Sequence, residues 1–278
     1  MSQRRKLRYL LQQLSETRNI IEAMRNLAQV EIHKLDRRLE NQQQMVSDLE
    51  LMAADLLRFY PYTFPQARGE RDIWLLFGSE RGFCGDFNAS IISNLGEQII
   101  PQNGAPLLIP IGTKLCQRLE GDPRVARFIG GADVTEEVTH ILNAIIQQVN
   151  NLQARYGACH VYTLYHHTET GLLTCSQLLP PFKHLSGAAV SHATPPVLNL
   201  VPDRLFSVLV DHYLFTTLHE IAYMSLMAEN YSRIQHMTGA MHRLDERVTD
   251  VMRKYHIQRQ EEITEEIEVI LLNATNIS

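Results

Sequence analysis

Apolar residues recur at helical spacing over two long stretches, one at each end of the chain. The first covers residues 2–58, which hold no proline and no glycine. Leu7, Leu14, Ile21, Ala28, Leu35 and Leu49 keep a seven-residue step, with Gln42 breaking the row. Leu10 or Leu11, Thr17, Met24, Ile32, Leu39, Val46 and Met52 form a second stripe that drifts between them. This is the a/d seam of a coiled-coil helix.

The second stretch begins at Pro202-Asp203-Arg204, and only Gly239 interrupts it before Asn273. Leu205, Leu209, Phe215, Ala222, Leu226, Met237, Met241, Leu244, Val248, Val251, Tyr255, Ile263, Ile267 and Ile270 are spaced mostly by three, four or seven. Periodicity far beyond 25 residues predicts a rod rather than a globular helix. At 1.5 Å per residue, roughly 70 residues span about 100 Å. The simplest arrangement pairs the two rods as an antiparallel coiled coil; two independent helices of a bundle is the alternative.

Between the rods the period changes. Pro61-Tyr62-Thr63-Phe64-Pro65 and Gly69 mark a linker. Asp72–Gly78 reads as a buried strand closed by glycine. Residues 87–100 read as a helix. Residues 106–112 read as a second buried strand, placed at an edge by Pro106 and Pro110. A short helix is expected from Thr113 to Leu119, a brief strand from Phe128, and a longer helix over 134–156. His160–His166 and Leu172–Leu178 alternate as strands around a turn at residues 168–171. Strands alternating with helices predict a Rossmann-like α/β domain over 70–195 with a mostly parallel sheet and an antiparallel edge. The fold class is therefore α/β plus a long antiparallel coiled coil, divided as a helix over 1–60, the α/β domain over 70–195 and a helix over 203–276.

Charge and composition narrow the functions. A formal net charge of −5 and 21% charged residues are ordinary for a soluble chain, and nothing global points to nucleic acid or an anionic membrane. The cluster Arg4-Arg5-Lys6-Arg8 reads as a solvated helix start. No apolar run reaches the ~20 residues of a membrane span, and no apolar segment follows the N-terminal basic residues as in a signal peptide. Cys84, Cys116, Cys159 and Cys175 are widely spaced, which fits neither a zinc site nor a disulfide framework. His166 and His167 point apart on a strand, so they make a poor metal pair. No cofactor is expected.

The segment Gly78–Asn88 carries three glycines between a strand and a helix, where backbone N–H groups can cradle an anion. It lacks the spacing of a P-loop or of a dinucleotide fingerprint. Glu80 and Asp86 would repel a phosphate, and Cys84 has no histidine base beside it in sequence. The loop reads as structural.

Ser79-Glu80-Arg81-Gly82-Phe83-Cys84-Gly85-Asp86-Phe87-Asn88 closely resembles the S-D-R-G-L-C-G-G-F-N signature of the γ subunit of F-type ATP synthases. Thr17-x-x-Ile20-x-x-Ala23-Met24, Gln177-Leu178-Leu179-Pro180, Ala228-Glu229-x-x-x-Arg233-Ile234-x-x-Met237 and Tyr255-x-x-x-Arg259-Gln260-x-x-Ile263-Thr264-x-Glu266 resemble further family motifs in the same order. The resemblance covers essentially the whole chain. It implies a non-catalytic rotor: paired terminal helices inside the head of α and β subunits, and a foot beside the ε subunit on the membrane c ring. Ion-driven rotation of this shaft would change the conformation of the catalytic β subunits, on the cytoplasmic face of a bacterial or archaeal plasma membrane.

By the same resemblance, Arg259, Gln260 and Thr264 fall where the shaft touches β, Met24 on the facing helix near β, and Arg233 among coupling-sensitive positions. Arg81, Gly82, Cys84, Gly85 and Asn88 carry the signature loop. The chain departs from the family's pattern at Asn26, Asp86, His256-Ile257-Gln258 and Glu261-Glu262, and at the Val269–Ala274 tip, which replaces small residues. These departures imply a divergent branch whose partners have changed with it. The cysteine insert of chloroplast homologues is absent. Two other classes remain open on the residues alone: a non-rotary coiled-coil scaffold with a Rossmann-like recognition domain, and an enzyme using the loop at 78–85.

Overall fold

A computed structural model describes residues 3–60, 71–98, 105–168, 171–185 and 194–275. Helix α1 spans Gln3–Phe59 and α5 spans Pro202–Thr275, each unbroken. Between them lie β1 (Arg71–Phe77), α2 (Phe87–Gln98), β2 (Leu107–Ile111), α3 (Thr113–Arg118), α4 (Val138–Tyr156), β3 (Cys159–His166) and β4 (Leu173–Leu179). The linker at 61–65 and Gly69 lies outside the described residues, as do residues 169 and 170 of the expected turn.

The chain forms two compact units, Met1–Ala28 with Ile234–Ser278, and Gln29–Arg233. The boundary between the two units falls inside both long helices. Residues 29–59 and 202–233 belong with the α/β domain, whose sheet needs apolar cover.

The terminal unit is an antiparallel helix pair. Arg4 Nη1 reaches Glu262 Oε2 at 2.9 Å, and Arg18 Nε reaches Asp245 Oδ1 at 2.9 Å. Rising numbers on one helix meet falling numbers on the other. Met237, Met241, Val251 and Ala28 are buried, while Leu7, Leu14, Ile21 and Met24 are half-buried, as a single seam between two helices allows. The expected seam fails at Ile263, Ile267 and Ile270, which are exposed. Arg4, in the first described turn of α1, is already level with Glu262. Helix α5 continues to Thr275, roughly 20 Å further at 1.5 Å per residue.

In the larger unit the sheet order is β2-β1-β3-β4. β1 pairs in parallel with β2 and β3, and β3 pairs antiparallel with β4. Pro110 sits on the edge strand β2, where a missing N–H costs no ladder bond in the middle of the sheet. Phe128-Ile129 makes only an isolated bridge, between Ile129 and Ile111. Central β1 is buried from Ile73 to Phe77. Trp74 and Leu76 from β1 pack with Phe87, Ile91 and Leu95 from α2, Leu115 from α3 and Ala228 from α5.

Helix α1 contributes Leu35, Leu39, Val46, Ala53 and Leu56 to the interior. Gln42 interrupts the apolar row because its Nε2 donates to the Thr216 carbonyl at 2.9 Å. Met52, expected in the second stripe, is 56% exposed; Ala53 and Leu56 take its place. A straight helix drifts by about 20° per heptad, which carries the buried face off a strict seven-residue step. In α5, Phe215 points outward, whereas Thr216–His219 and Tyr223–Asn230 are buried. This part of α5 is enclosed on every face and so has no apolar stripe.

Candidate functional site

The signature loop begins where β1 ends. Asn88, in the first turn of α2, reaches back to it: Ser79 N donates to Asn88 Oδ1 at 2.9 Å, and Asn88 Nδ2 donates to Ser79 Oγ at 2.7 Å. Both residues are buried, so each polar group satisfies the other. Gly78 is required because a Cβ there would lie 2.3 Å from the Leu115 Cβ on α3. The loop then turns through Phe83 and Gly85, both at positive φ. Asp86, which replaces the family glycine, sits at the exposed end of the turn.

From the other side the loop is held by α5. Glu229 is 3% exposed, and its carboxylate accepts from the backbone N–H groups of Glu80 and Arg81 at 3.3 and 3.4 Å. Arg233, 6% exposed and one turn along α5, donates Nη2 to Glu229 Oε1, Nη1 to Asn230 Oδ1 at 2.7 Å and Nε to the Gly82 carbonyl at 3.5 Å. Ser232 Oγ donates to the Cys84 carbonyl at 2.8 Å. Ser225 Oγ reaches the Phe77 carbonyl at 3.4 Å at the strand end itself.

A second carboxylate works in the same manner. Glu80 accepts from Thr113 N at 2.8 Å, Thr113 Oγ1 at 2.6 Å and Gly131 N at 2.6 Å. It thereby joins the loop to the turns after β2. Gly112 has φ 106°, and a Cβ there would meet the Gly78 carbonyl oxygen at 2.6 Å.

This arrangement is chemically informative. In an open α/β sheet, ligands bind beyond the carboxyl ends of the strands. Here that place is taken by α5, and the N–H groups that could cradle a phosphate point at two carboxylates of the chain itself. Burial pushes Glu229 up to about 7, against the opposite pull of Arg233 and the two loop N–H groups. Burial and the nearby Glu229 charge push Cys84 up to about 11, so its sulfur stays a thiol at neutral pH. The loop offers neither an anion site nor an activated nucleophile.

Of the residues singled out in the sequence, Arg81, Gly82 and Cys84 gather with Arg233 around Glu229, with Gly85 in the turn beside them, while Asn88 holds the start of the loop through Ser79. Arg81 itself faces solvent and pairs with Asp133 at 2.6 Å. Met24, Arg259, Gln260 and Thr264 belong to the terminal unit. Met24 is half-buried; the other three are exposed on α5. Thr264 Oγ1 donates to the Gln260 carbonyl at 2.9 Å. Arg233 is a buried residue whose partners lie in its own chain.

Sequence reasoning missed Glu31. Its carboxylate accepts from Thr135 N at 3.2 Å and Thr135 Oγ1 at 3.0 Å, and Lys34 Nζ donates to it at 2.8 Å. This ties α1 to the turn that precedes α4. Its signal, a charged residue at an interior position of the helix period, is visible only once Ile32 and Leu35 are known to face inward.

Comparison with known proteins gives a consistent result. A family model described as ATP synthase matches residues 3–275. The ATP synthase gamma chain of Clostridium botulinum strain Kyoto is 24% identical over 273 residues, covering 95% of each chain. That of Rickettsia felis is 23% identical over 289 residues, covering 97% of this chain and 98% of the relative. Among solved structures, a chain of the Euglena gracilis mitochondrial ATP synthase rotor aligns with a TM-score of 0.65 and 15% identity, over 94% of this chain and 98% of that one. A chain of the Euglena OSCP/F1/c-ring assembly aligns at 0.67 with 16% identity, over 99% and 94%.

Proposed function

The chain belongs to the γ-subunit family of ATP synthases, and on that footing we propose that it is the central-stalk rotor of such a complex and divides the work between its two units. The antiparallel helix pair is the shaft that enters a head of α and β subunits. The α/β unit is the foot, beside an ε subunit on a membrane c ring. Ion flow turns the ring, the shaft turns with it, and the catalytic β subunits change conformation in sequence. The subunit makes and breaks no bonds itself. It is a peripheral member of a membrane-associated complex, on the cytoplasmic face.

The observation that carries this reading is the match of the whole chain to the family, over the same residues that form the two paired helices and the sheet. Physical features support it. A shaft must resist twist, and two interlocked helices with complete hydrogen-bond ladders do so better than one. A shaft must also present polar groups to a socket. Arg259 and Gln260 are exposed side chains with no partner among the described residues, so both are available for reversible hydrogen bonds to β subunits. Thr264 and Met24 are assigned to the same contact. Arg233 acts differently in this scheme: it is buried, and it holds the signature loop to α5, so its effect on coupling would be transmitted through the foot.

No feature favours the scaffold reading. An enzyme reading is not supported by a loop whose N–H groups are filled by Glu229 and Glu80. The test is native mass spectrometry of the complex purified gently from its own cells. Three α, three β and one copy of this chain are expected. A homodimer, or a monomer free of α and β, would overturn the assignment.

A further inference from the structure

Strand β2 ends the sheet, but its outer edge is not bare. Residues 124–129 run beside it in parallel as a short, irregular extra strand. Leu108 N donates to the Arg124 carbonyl at 2.9 Å, and Ala126 N donates to the Leu108 carbonyl at 2.9 Å. The next donor of this ladder falls at residue 110, a proline without an N–H. The Ala126 carbonyl therefore loses its bond, and the segment bulges. Pairing resumes one residue late: Ile129 N donates to the Pro110 carbonyl at 3.1 Å, and Gly112 N donates to the Ile129 carbonyl at 3.0 Å.

The bulge leaves Ala126, Arg127 and Phe128 exposed. The N–H groups of Arg127 and Phe128, and the carbonyls of all three residues, make no hydrogen bond among the described residues. Unpaired donors and acceptors along a sheet edge are a template for another extended chain. Two grooves flank this edge. The one on the α4 side holds about 540 Å³ and is bounded by Arg127, His140, Gln147 and Asn151, with no carboxylate in its lining. The one on the α3 side holds about 280 Å³ and is bounded by Cys116, Gln117 and Glu120. Phe128 and Ile129 line both, so the segment is the ridge between them. Side chains of a strand alternate between its two faces, and a strand laid along this ridge would fill the grooves in turn.

We propose that the ridge docks an extended segment of a partner chain, added as a strand beside residues 126–128. It carries a carboxylate side chain into the α4 groove and an apolar side chain against Phe128 on the α3 side. The free backbone groups set the extended form of the occupant. The Arg127 guanidinium sets its charge, because its fork of N–H donors matches a carboxylate and no acidic residue of the groove competes for it. A second copy of this chain is a poor occupant, since two such edges would bring Arg127 against its own counterpart. At about 3.3 Å per residue, three residues of edge span roughly 10 Å, so the bound segment is short. The inference rests on the rotor reading only for the premise that the chain works inside a complex.

Hydrogen exchange tests it. The complex is purified from its own cells, its composition is read by native mass spectrometry, and the chain within it is compared with the full chain expressed alone. In the chain alone, the Arg127 and Phe128 amides should exchange at the unprotected rate. In the complex they should slow by about 100-fold or more, as hydrogen-bonded strand amides do. Arg127→Glu should leave the chain folded by circular dichroism, because the side chain is exposed, yet remove most of that protection or the partner itself from the complex. Arg37→Glu, exposed on α1, should leave the protection intact. Unprotected Arg127 and Phe128 amides in an intact complex would overturn the inference and leave the rotor reading standing. Full protection in the Arg127→Glu complex would overturn the acidic partner. Protection that rises with the concentration of the chain alone would make a second copy the occupant and overturn the proposal, and recovery of the chain without any partner would overturn both readings.

Discussion

At the scale of single residues, the buried pair Glu229 and Arg233 decides most. Removing one member of a buried ion pair leaves the other charge without compensation, at a cost of about 3–5 kcal/mol. Glu229→Ala should therefore lower stability by that order, read as a shift in the urea midpoint of the full chain. The pair also sets a pH dependence. Glu229 lies near 7 in the folded chain against an ordinary 4.5. Between those values the native state binds a proton that the unfolded chain does not, so this group's contribution to stability grows as pH falls from about 7 to 4.5 and is least above 7. Glu229→Gln should flatten the slope of stability over that window; an unchanged slope would show that the carboxyl titrates elsewhere. Cys84 gives a kinetic counterpart. With its thiol at about 11 and 4% exposed, it should resist iodoacetamide in the native chain at pH 7.5 and react on unfolding. Quantitative native labelling at Cys84, located by peptide mapping, would mean that the loop opens. None of this was legible in the sequence. The signature loop could be read as structural from its spacing, but the carboxylate that holds it lies about 150 positions away.

At the scale of elements, the sequence was most legible where one face is buried and the other wet. The amphipathic α4 is the clearest case, with Val138, Leu142, Ile145, Val149 and Leu152 buried along one face. Legibility fell where an element is enclosed all round. In α5, Thr216, Thr217, His219, Ser225, Glu229 and Asn230 are buried beside Leu218, Ile221 and Met224, and an enclosed helix has no polar face to define a stripe. It fell also where a partner helix ends, because periodicity cannot say that Ile263 to Leu272 extend past Arg4. In α1 the drift of the buried face replaced Met52 by Ala53. This gives a contrast to measure. Leu35 is fully buried, so Leu35→Ala should cost about 2–5 kcal/mol. Met52→Ala, on the exposed face, should fall within about 0.5 kcal/mol of wild type. Equal losses in thermal unfolding would restore Met52 to the seam.

At the scale of the whole molecule, the question is how a rod without chemistry transmits work. Torque must pass from shaft to socket through contacts that form and break in each turn. Such contacts should be exposed, polar and dispensable for folding, which describes Arg259 and Gln260. Deep apolar contacts would bind too tightly to release, and buried ion pairs such as Glu229–Arg233 serve the chain's own fold. The double substitution Arg259→Ala with Gln260→Ala should therefore leave the unfolding midpoint of the isolated chain nearly unchanged, within about 0.5 kcal/mol, as for exposed helix positions. The same substitution in the assembled complex should reduce ATP synthesis driven by an ion gradient more than it reduces ATP hydrolysis. Each lost charge-assisted bond removes about 1.5–3 kcal/mol from a step that must be driven against load. Arg233→Lys offers the opposite pattern, because a lysine cannot keep bonds to Glu229, Asn230 and the Gly82 carbonyl together. It should destabilise the isolated chain first and affect coupling only as a consequence. Synthesis at the wild-type rate in the Arg259–Gln260 double variant would remove those two residues from the contact with β and shift the search to other exposed positions of the terminal helix pair.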